Sequence, residues 1–281
     1  MRLMGELVLL AAVLPAPALA QGDCFPGKHS KEAATFAIFS VPLAFSPASA
    51  PSAEAGHGVR VGVAVSTVPN IDDRTATPTV CRPGKGPENT DLLFAVPEPR
   101  VSVTLPGQLE AEVSWIPPIR VSGVKANLVA VAVGRSLGIA NGLLALRIRA
   151  HATLGVIRAP ITCDDQALRD PTSECFGGTE SDDTFRPNIF GADVSLGWSP
   201  VTARFRPYLG TGYNRLQPRF RVDFTNQSGE TDRRRVEVNL NRLVVFGGAS
   251  YRLTTSLDLS GELYAAPSDA FTARMALRAG L

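Results

Sequence analysis

Residues 141–157, NGLLALRIRAHATLGVI, restrict the chain more than any other stretch. Leu144, Leu146, Ile148, Ala150, Ala152, Leu154 and Val156 share one parity, and Arg147, Arg149, His151 and Thr153 share the other. A period of two puts the first set on one face of a β-strand and the second on the opposite face. Wound as a helix, the same residues would spread the arginines around the whole circumference and leave no apolar stripe. Strands of soluble proteins usually run about five or six residues, and this alternation is sustained for longer. A strand crossing lipid needs roughly 9–11 residues, so length points to a membrane-crossing strand.

The same signature recurs. Val59, Val61, Val63 and Val65 oppose Arg60 and Ser66; Val101, Val103 and Leu105 lead through 106–108 into Leu109, Ala111, Val113 and Trp115, with Glu110 and Glu112 on the other parity. Val129, Val131 and Val133 follow, then the 141–157 strand. Beyond it, Phe190, Ala192, Val194, Leu196 and Trp198 oppose Asp193 and Ser195. Residues 207–224 read as one long strand, with Tyr208, Phe220, Val222 and Phe224 on one parity and Arg215, Gln217, Arg219, Arg221 and Asp223 on the other. Residues 236–253 and 257–265 follow. The last strand sets Phe271, Ala273, Met275, Leu277, Ala279 and Leu281 against Arg274 and Arg278.

These are ten strands from Val59 onward, within a range of eight to twelve. Connections alternate tight (106–108, 137–141, 199–205, 254–256) with long (69–97, 159–187, 225–234), and two connections on the long-loop side, 117–123 and 267–269, are brief. The expected fold is all-β: an antiparallel up-and-down transmembrane β-barrel over 57–281, with short turns on the periplasmic side and long loops outside. A soluble secreted β-sandwich that binds a ligand is the alternative. The 44% hydrophobic content and mean hydropathy of +0.08 suit either, because barrel strands dilute apolar residues with polar ones.

Residues 1–20 read as a secretory signal peptide, with an apolar run at 7–13 and Ala18-Leu19-Ala20 before the cleavage point. Residues 21–56 differ from the rest. Ser30 can cap a short helix with Glu32 in its first turn, Phe36, Phe39 and Leu43 recur at helical spacing, and Pro42 ends the helix. Residues 48–58 read as a linker. The segment is a lumen plug or a periplasmic tail.

An exported chain holds its cysteines in an oxidising space, and an even count implies disulfides. Cys24, Cys81, Cys163 and Cys175 allow three pairings. Cys163 with Cys175 is favoured because both lie in one polar loop, which leaves Cys24 with Cys81. The histidines are scattered and no C-x-x-C occurs, so no metal site and no cofactor is expected. A net charge of +2, without an aromatic-interleaved basic motif, gives no reason to expect a nucleic-acid partner.

At this point the chain resembles small bacterial outer-membrane β-barrels, the OmpA-like and OmpW-like barrels. The resemblance rests on the signal segment, the strand opening Arg206-Pro207-Tyr208-Leu209-Gly210-Thr211-Gly212-Tyr213, and the alternating C-terminal strand. It is architectural and covers about 59–281. It implies residence in the outer membrane, contact with its lipid, and insertion by its assembly machinery, although this chain ends in Leu281 where such barrels end in an aromatic residue. No residue role carries over.

The polar parity supplies candidate lumen-facing residues: Arg147, Arg149, His151, Arg215, Arg219, Arg221, Arg274 and Arg278, with Glu110, Glu112 and Asp193. Two readings follow. Buried charges need partners, so the set can be a salt-bridge network filling a narrow interior. Alternatively, it lines a slightly cationic conduit for a small anionic solute. His151 is a lone histidine with no G-x-S-x-G beside it, and no catalytic constellation is expected. The function expected from the sequence is structural, or a minor passive-transport or surface role.

Overall fold

The computed structural model describes residues 22–52, 58–200 and 202–281. Residues 1–20, read from the sequence as a signal peptide, lie outside the described residues. Ten long strands form a ring: β1 (Gly58–Thr67), β2 (Ala95–Leu105), β3 (Leu109–Ile116), β4 (Val124–Ile139), β5 (Leu144–Ala159), β6 (Ile189–Trp198), β7 (Phe205–Leu216), β8 (Leu240–Arg252), β9 (Leu257–Ala266) and β10 (Ala270–Gly280). Each pairs antiparallel with the next in sequence, and β10 closes on β1 from Arg60↔Gly280 to Ser66↔Arg274. One closed ring, rather than two stacked sheets, therefore carries the fold.

Alternation decides which side faces where. Outward positions are apolar and exposed: Val59, Val61, Val63, Val65, Val131, Ile148, Leu209, Leu263 and Met275. Inward positions on the same strands are buried and polar: Ser66, Arg100, Arg147, Arg149, Asp193, Glu262 and Arg274. Outward aromatic rings gather at both rims. Trp198, Phe205 and Tyr251 sit at the short-turn end, and Trp115, Phe190, Tyr213 and Phe271 toward the other.

The short-turn end is built on tight reversals. Gly107, at φ 76°, and Asn141, at φ 55°, occupy the left-handed region that glycine and asparagine tolerate best. At the long-loop end, the expected strand over 207–224 divides. Pro218 lacks an N–H for a ladder, and beyond it Arg219–Arg221 leaves the ring. That segment pairs with Asp183–Arg186 on one side and Arg235–Glu237 on the other, and Asp183–Arg186 pairs in turn with the upper part of β5. This small sheet projects beyond the ring. Cys24 extends it, through Cys24 N–H to the Arg235 carbonyl at 2.8 Å and Glu237 N–H to the Cys24 carbonyl at 2.9 Å.

Helix α1 (Lys31–Leu43) starts at Ser30, whose hydroxyl accepts from Ala33 N–H at 3.1 Å. Pro42 lies in its last turn instead of ending it early. A short helix α2 (Asp73–Ala76) belongs to the first long loop. The Glu32 carboxylate accepts from the backbone N–H of Thr79 (2.8 Å), Val80 (2.6 Å) and Cys81 (3.0 Å) and ties α1 to that loop. Burial works to raise the Glu32 pKa, but these N–H donors outweigh it and hold the carboxyl below its usual value. The disulfides are Cys24–Cys81 and Cys163–Cys175, with Cα–Cα distances of 5.7 and 5.6 Å. Both lie among the long loops.

Candidate functional site

The interior of the ring holds the N-terminal segment, and the site is where the two meet. After α1, residues 44–52 run without regular structure toward the short-turn end. Such a segment poses an accounting problem. Its backbone is buried, and buried carbonyls need donors. Pro47 and Pro51 remove N–H groups and keep carbonyls, so acceptors outnumber donors. Arginine suits that imbalance, since its guanidinium carries five N–H donors and no acceptor.

Five inward arginines supply those donors. Arg274 donates to the Val41 carbonyl at 2.8 Å, Arg100 to Ser46 at 2.8 Å, Arg278 to Pro47 at 2.5 Å, and Arg147 to Ser49 at 2.6 Å. Arg149 donates to the Phe45 carbonyl. Hydroxyls complete the set: Thr153 donates to Leu43 at 3.0 Å and Ser260 to Ala48 at 2.6 Å. At Ala48 the backbone enters the left-handed region, φ 46°, where a residue with a Cβ is uncommon. Its N–H meets the Glu262 carboxylate at 3.2 Å while its carbonyl meets Ser260. Lower still, Ala50 N–H donates to Ser250 at 2.8 Å.

The partners on each strand give the direction of travel. Val41 meets Arg274, while Pro47 meets Arg278 four residues nearer the end of β10. Leu43, Phe45 and Ser49 meet Thr153, Arg149 and Arg147 in descending order along β5. The chain therefore enters at the long-loop end and passes down through the ring before β1 begins.

Carboxylates from the ring balance the same arginines. Glu112 lies 3.4 Å from Arg100, 3.2 Å from Arg278 and 3.7 Å from Arg149, which come from three different strands. Asp193 pairs with Arg149 at 2.9 Å, Asp258 with Arg206 at 3.0 Å, and Glu262 faces Arg274 at 3.7 Å. The Phe45 ring sits between two guanidiniums, 4.5 Å from Arg100 and 5.5 Å from Arg149, an attraction that grows when water is excluded. Tyr208 donates to Glu262 at 2.9 Å, and Arg274 lies over the Tyr264 ring at 4.3 Å.

Arg147, Arg149, His151, Glu112, Asp193, Arg274 and Arg278 thus lie together inside the ring. Glu110 stands at the short-turn mouth, 3.9 Å from Arg147 and only partly buried. Arg215, Arg219 and Arg221 do not join them. On β7 the inward positions are Arg206, Tyr208 and Asn214, so Arg215 points outward and is exposed. Arg219 and Arg221 belong to the projecting sheet, where Phe220 takes the inward side against Phe36, with ring centroids 5.8 Å apart. The reason is a change of surroundings. At this height apolar α1 lies within, so the apolar parity turns inward there.

Sequence reading also missed Arg206, Asn214 and Tyr264; it offered 21–56 as a lumen plug or a periplasmic tail but read 48–58 as a linker, of which 48–52 and 58 lie among the described residues. The arginine-to-carbonyl bonds span from 54 to 233 positions of sequence, a separation that no local pattern carries. Only the excess of acceptors around the prolines hinted at a need for donors. His151 is buried, with Nε2 3.7 Å from Asp193. Among the described residues no group of three or more His, Cys, Asp or Glu could hold a metal ion.

Toward the long-loop end the interior changes character. Phe36 and Phe39 of α1 pack on Phe185, at centroid distances of 5.7 and 6.0 Å. Val124, Leu128, Phe220 and Val236 join one apolar core there. Above it, Arg82 is ion-paired with Glu88 and Glu174 and ties the first long loop to the 159–187 loop.

No protein-family model matches the sequence, and neither does any curated protein. Among solved structures, the chain is similar to Neisserial surface protein A at 9% identity, covering 79% of this chain and 96% of that one with a TM-score of 0.30. OmpT, an outer membrane protein of Vibrio cholerae, gives 12%, 68%, 56% and 0.27. The P. putida toluene transporter TodX gives 14%, 85%, 70% and 0.31. The resemblance to bacterial outer-membrane β-barrels is architectural and transfers no residue role.

Proposed function

We propose that this chain is an outer-membrane barrel closed by its own N-terminal segment, serving a structural and surface role rather than steady solute flow. The observation that carries the reading is the set of five arginine-to-carbonyl bonds through which residues 41–49 occupy the ring. A conduit needs a continuous water path, and here the inward arginines already bind backbone and carboxylates. The outward apolar band with aromatic rims suits lipid on all sides. The leader-like start at 1–20 suits export, after which the outer-membrane assembly machinery would insert the barrel. The stapled long loops would then face outward.

Planar-bilayer recording of the purified full chain tests this reading. No steady conductance is expected. A stable, anion-selective current would instead support the cationic conduit for small anionic solutes. Fractionation adds the location: the chain should partition with the outer membrane and shift in mobility when unheated.

A further inference from the structure

At the long-loop end the packing leaves an apolar void of about 70 Å³ that is partly open to solvent. Its floor is Phe39, Pro42 and Leu43, and its wall includes Val96, Val124 and Ile157 from the tops of three ring strands. Leu92 and Leu93, both half-buried in the first long loop, also line it. A smaller void of about 40 Å³ lies on the other side of Phe39 and Phe185. Protein interiors normally close such gaps, because lining atoms without neighbours forfeit dispersion contacts.

Water is a poor occupant. A buried water typically makes about three hydrogen bonds, and Thr90 is the one polar residue lining the larger void. Its hydroxyl is directed to the Ile71 carbonyl at 3.4 Å. No charged group lines that void, so an ionic or strongly polar ligand would lose its hydration without compensation. Void size limits the occupant as well. An apolar cavity of roughly 150 Å³ takes benzene; with about 70 Å³, this one suits a smaller occupant, such as a xenon atom or a one-carbon halocarbon.

We infer that this void is a binding site for a small uncharged apolar molecule, a light hydrocarbon or halocarbon, entered from the loop side. Below it, Pro42 and Leu43 continue into the arginine-bonded segment, so the site is a dead end rather than a step in a passage. The inference goes beyond the proposed function and needs only the position of residues 39–43.

The test is a pair of soaks of crystals of the full chain, one with pressurised xenon and one with dibromomethane. The expected result is an anomalous peak between Phe39, Val96 and Ile157 for both probes. Val96→Phe, which fills the void, should abolish both peaks. Thr90→Val should keep or raise their occupancy, and it guards against a filled variant that fails to fold. Peaks confined to the outward apolar band, an ordered water in the void, or peaks that survive Val96→Phe would each overturn the inference.

Discussion

The two halves of the barrel interior solve the same problem in opposite ways. Near the long loops, α1 satisfies its own backbone through its helix and offers phenyl rings to an apolar wall of Val124, Leu128, Phe185 and Phe220. Near the short turns, residues 44–50 have no helix, and the ring's arginines supply what the backbone lacks. A segment that bonds itself can be held by grease, whereas a proline-interrupted segment must be held by donors. The upper half should therefore tolerate changes of shape, and the lower half should not tolerate changes of charge.

The largest break is expected from Arg149→Ala. It strips a donor from Phe45 and leaves Asp193 and Glu112 short of a buried partner. Removing one side of a buried pair costs about 3–5 kcal/mol, which urea unfolding in detergent would read. Cutting the tether by Cys24→Ser together with Cys81→Ser comes next. This disulfide spans 57 positions, and its loss should cost about 2–4 kcal/mol, with the outer end of α1 gaining protease sensitivity first. Phe36→Leu should cost less than about 1.5 kcal/mol in the same unfolding assay, because the apolar half can repack around a similar volume. A loss as large as that of Arg149→Ala would break the contrast between the halves.

The remaining effect is one of pH, and it sharpens the picture of the outer loops. Burial pushes the Glu88 carboxyl up from 4.5 to about 7, against the opposing pull of Arg82. Between those values the folded state binds more proton than the unfolded one, so stability should fall as pH rises through the window and level off above it. Glu88→Gln should flatten that slope between pH 5 and 7, measured as the pH dependence of hydrogen exchange in the 67–95 loop. An unchanged slope would show that another group sets it.

The ring was legible because its alternation is long and repeated: each of the ten strands carries its own period-two pattern. The cysteine pairing was legible because two of the four share a loop. What parity alone cannot say is which of two faces is inside. Arg147 and Arg215 both sit on polar parities, yet one is buried in the ring and the other is exposed. The difference lies in what each height of the barrel encloses, arginine-bonded chain low down and apolar helix above. A lumen plug was one of two readings the sequence allowed for residues 21–56, but how 44–52 are held was hidden for a related reason. Their partners are scattered over five strands, and nothing in a run of Pro, Ala and Ser announces them.

One measurement bears most directly on the claim that the ring is filled by its own N-terminal segment. Ala48 packs with Ala64 and Ala276 in a small cluster between segment and ring. In the full chain, the pair Ala48→Cys and Ala276→Cys should form an intramolecular disulfide under mild oxidation, seen as a mobility shift reversed by reductant. Failure to form that bond, with position 48 instead labelled rapidly by a water-soluble maleimide, would mean that the segment does not occupy the ring.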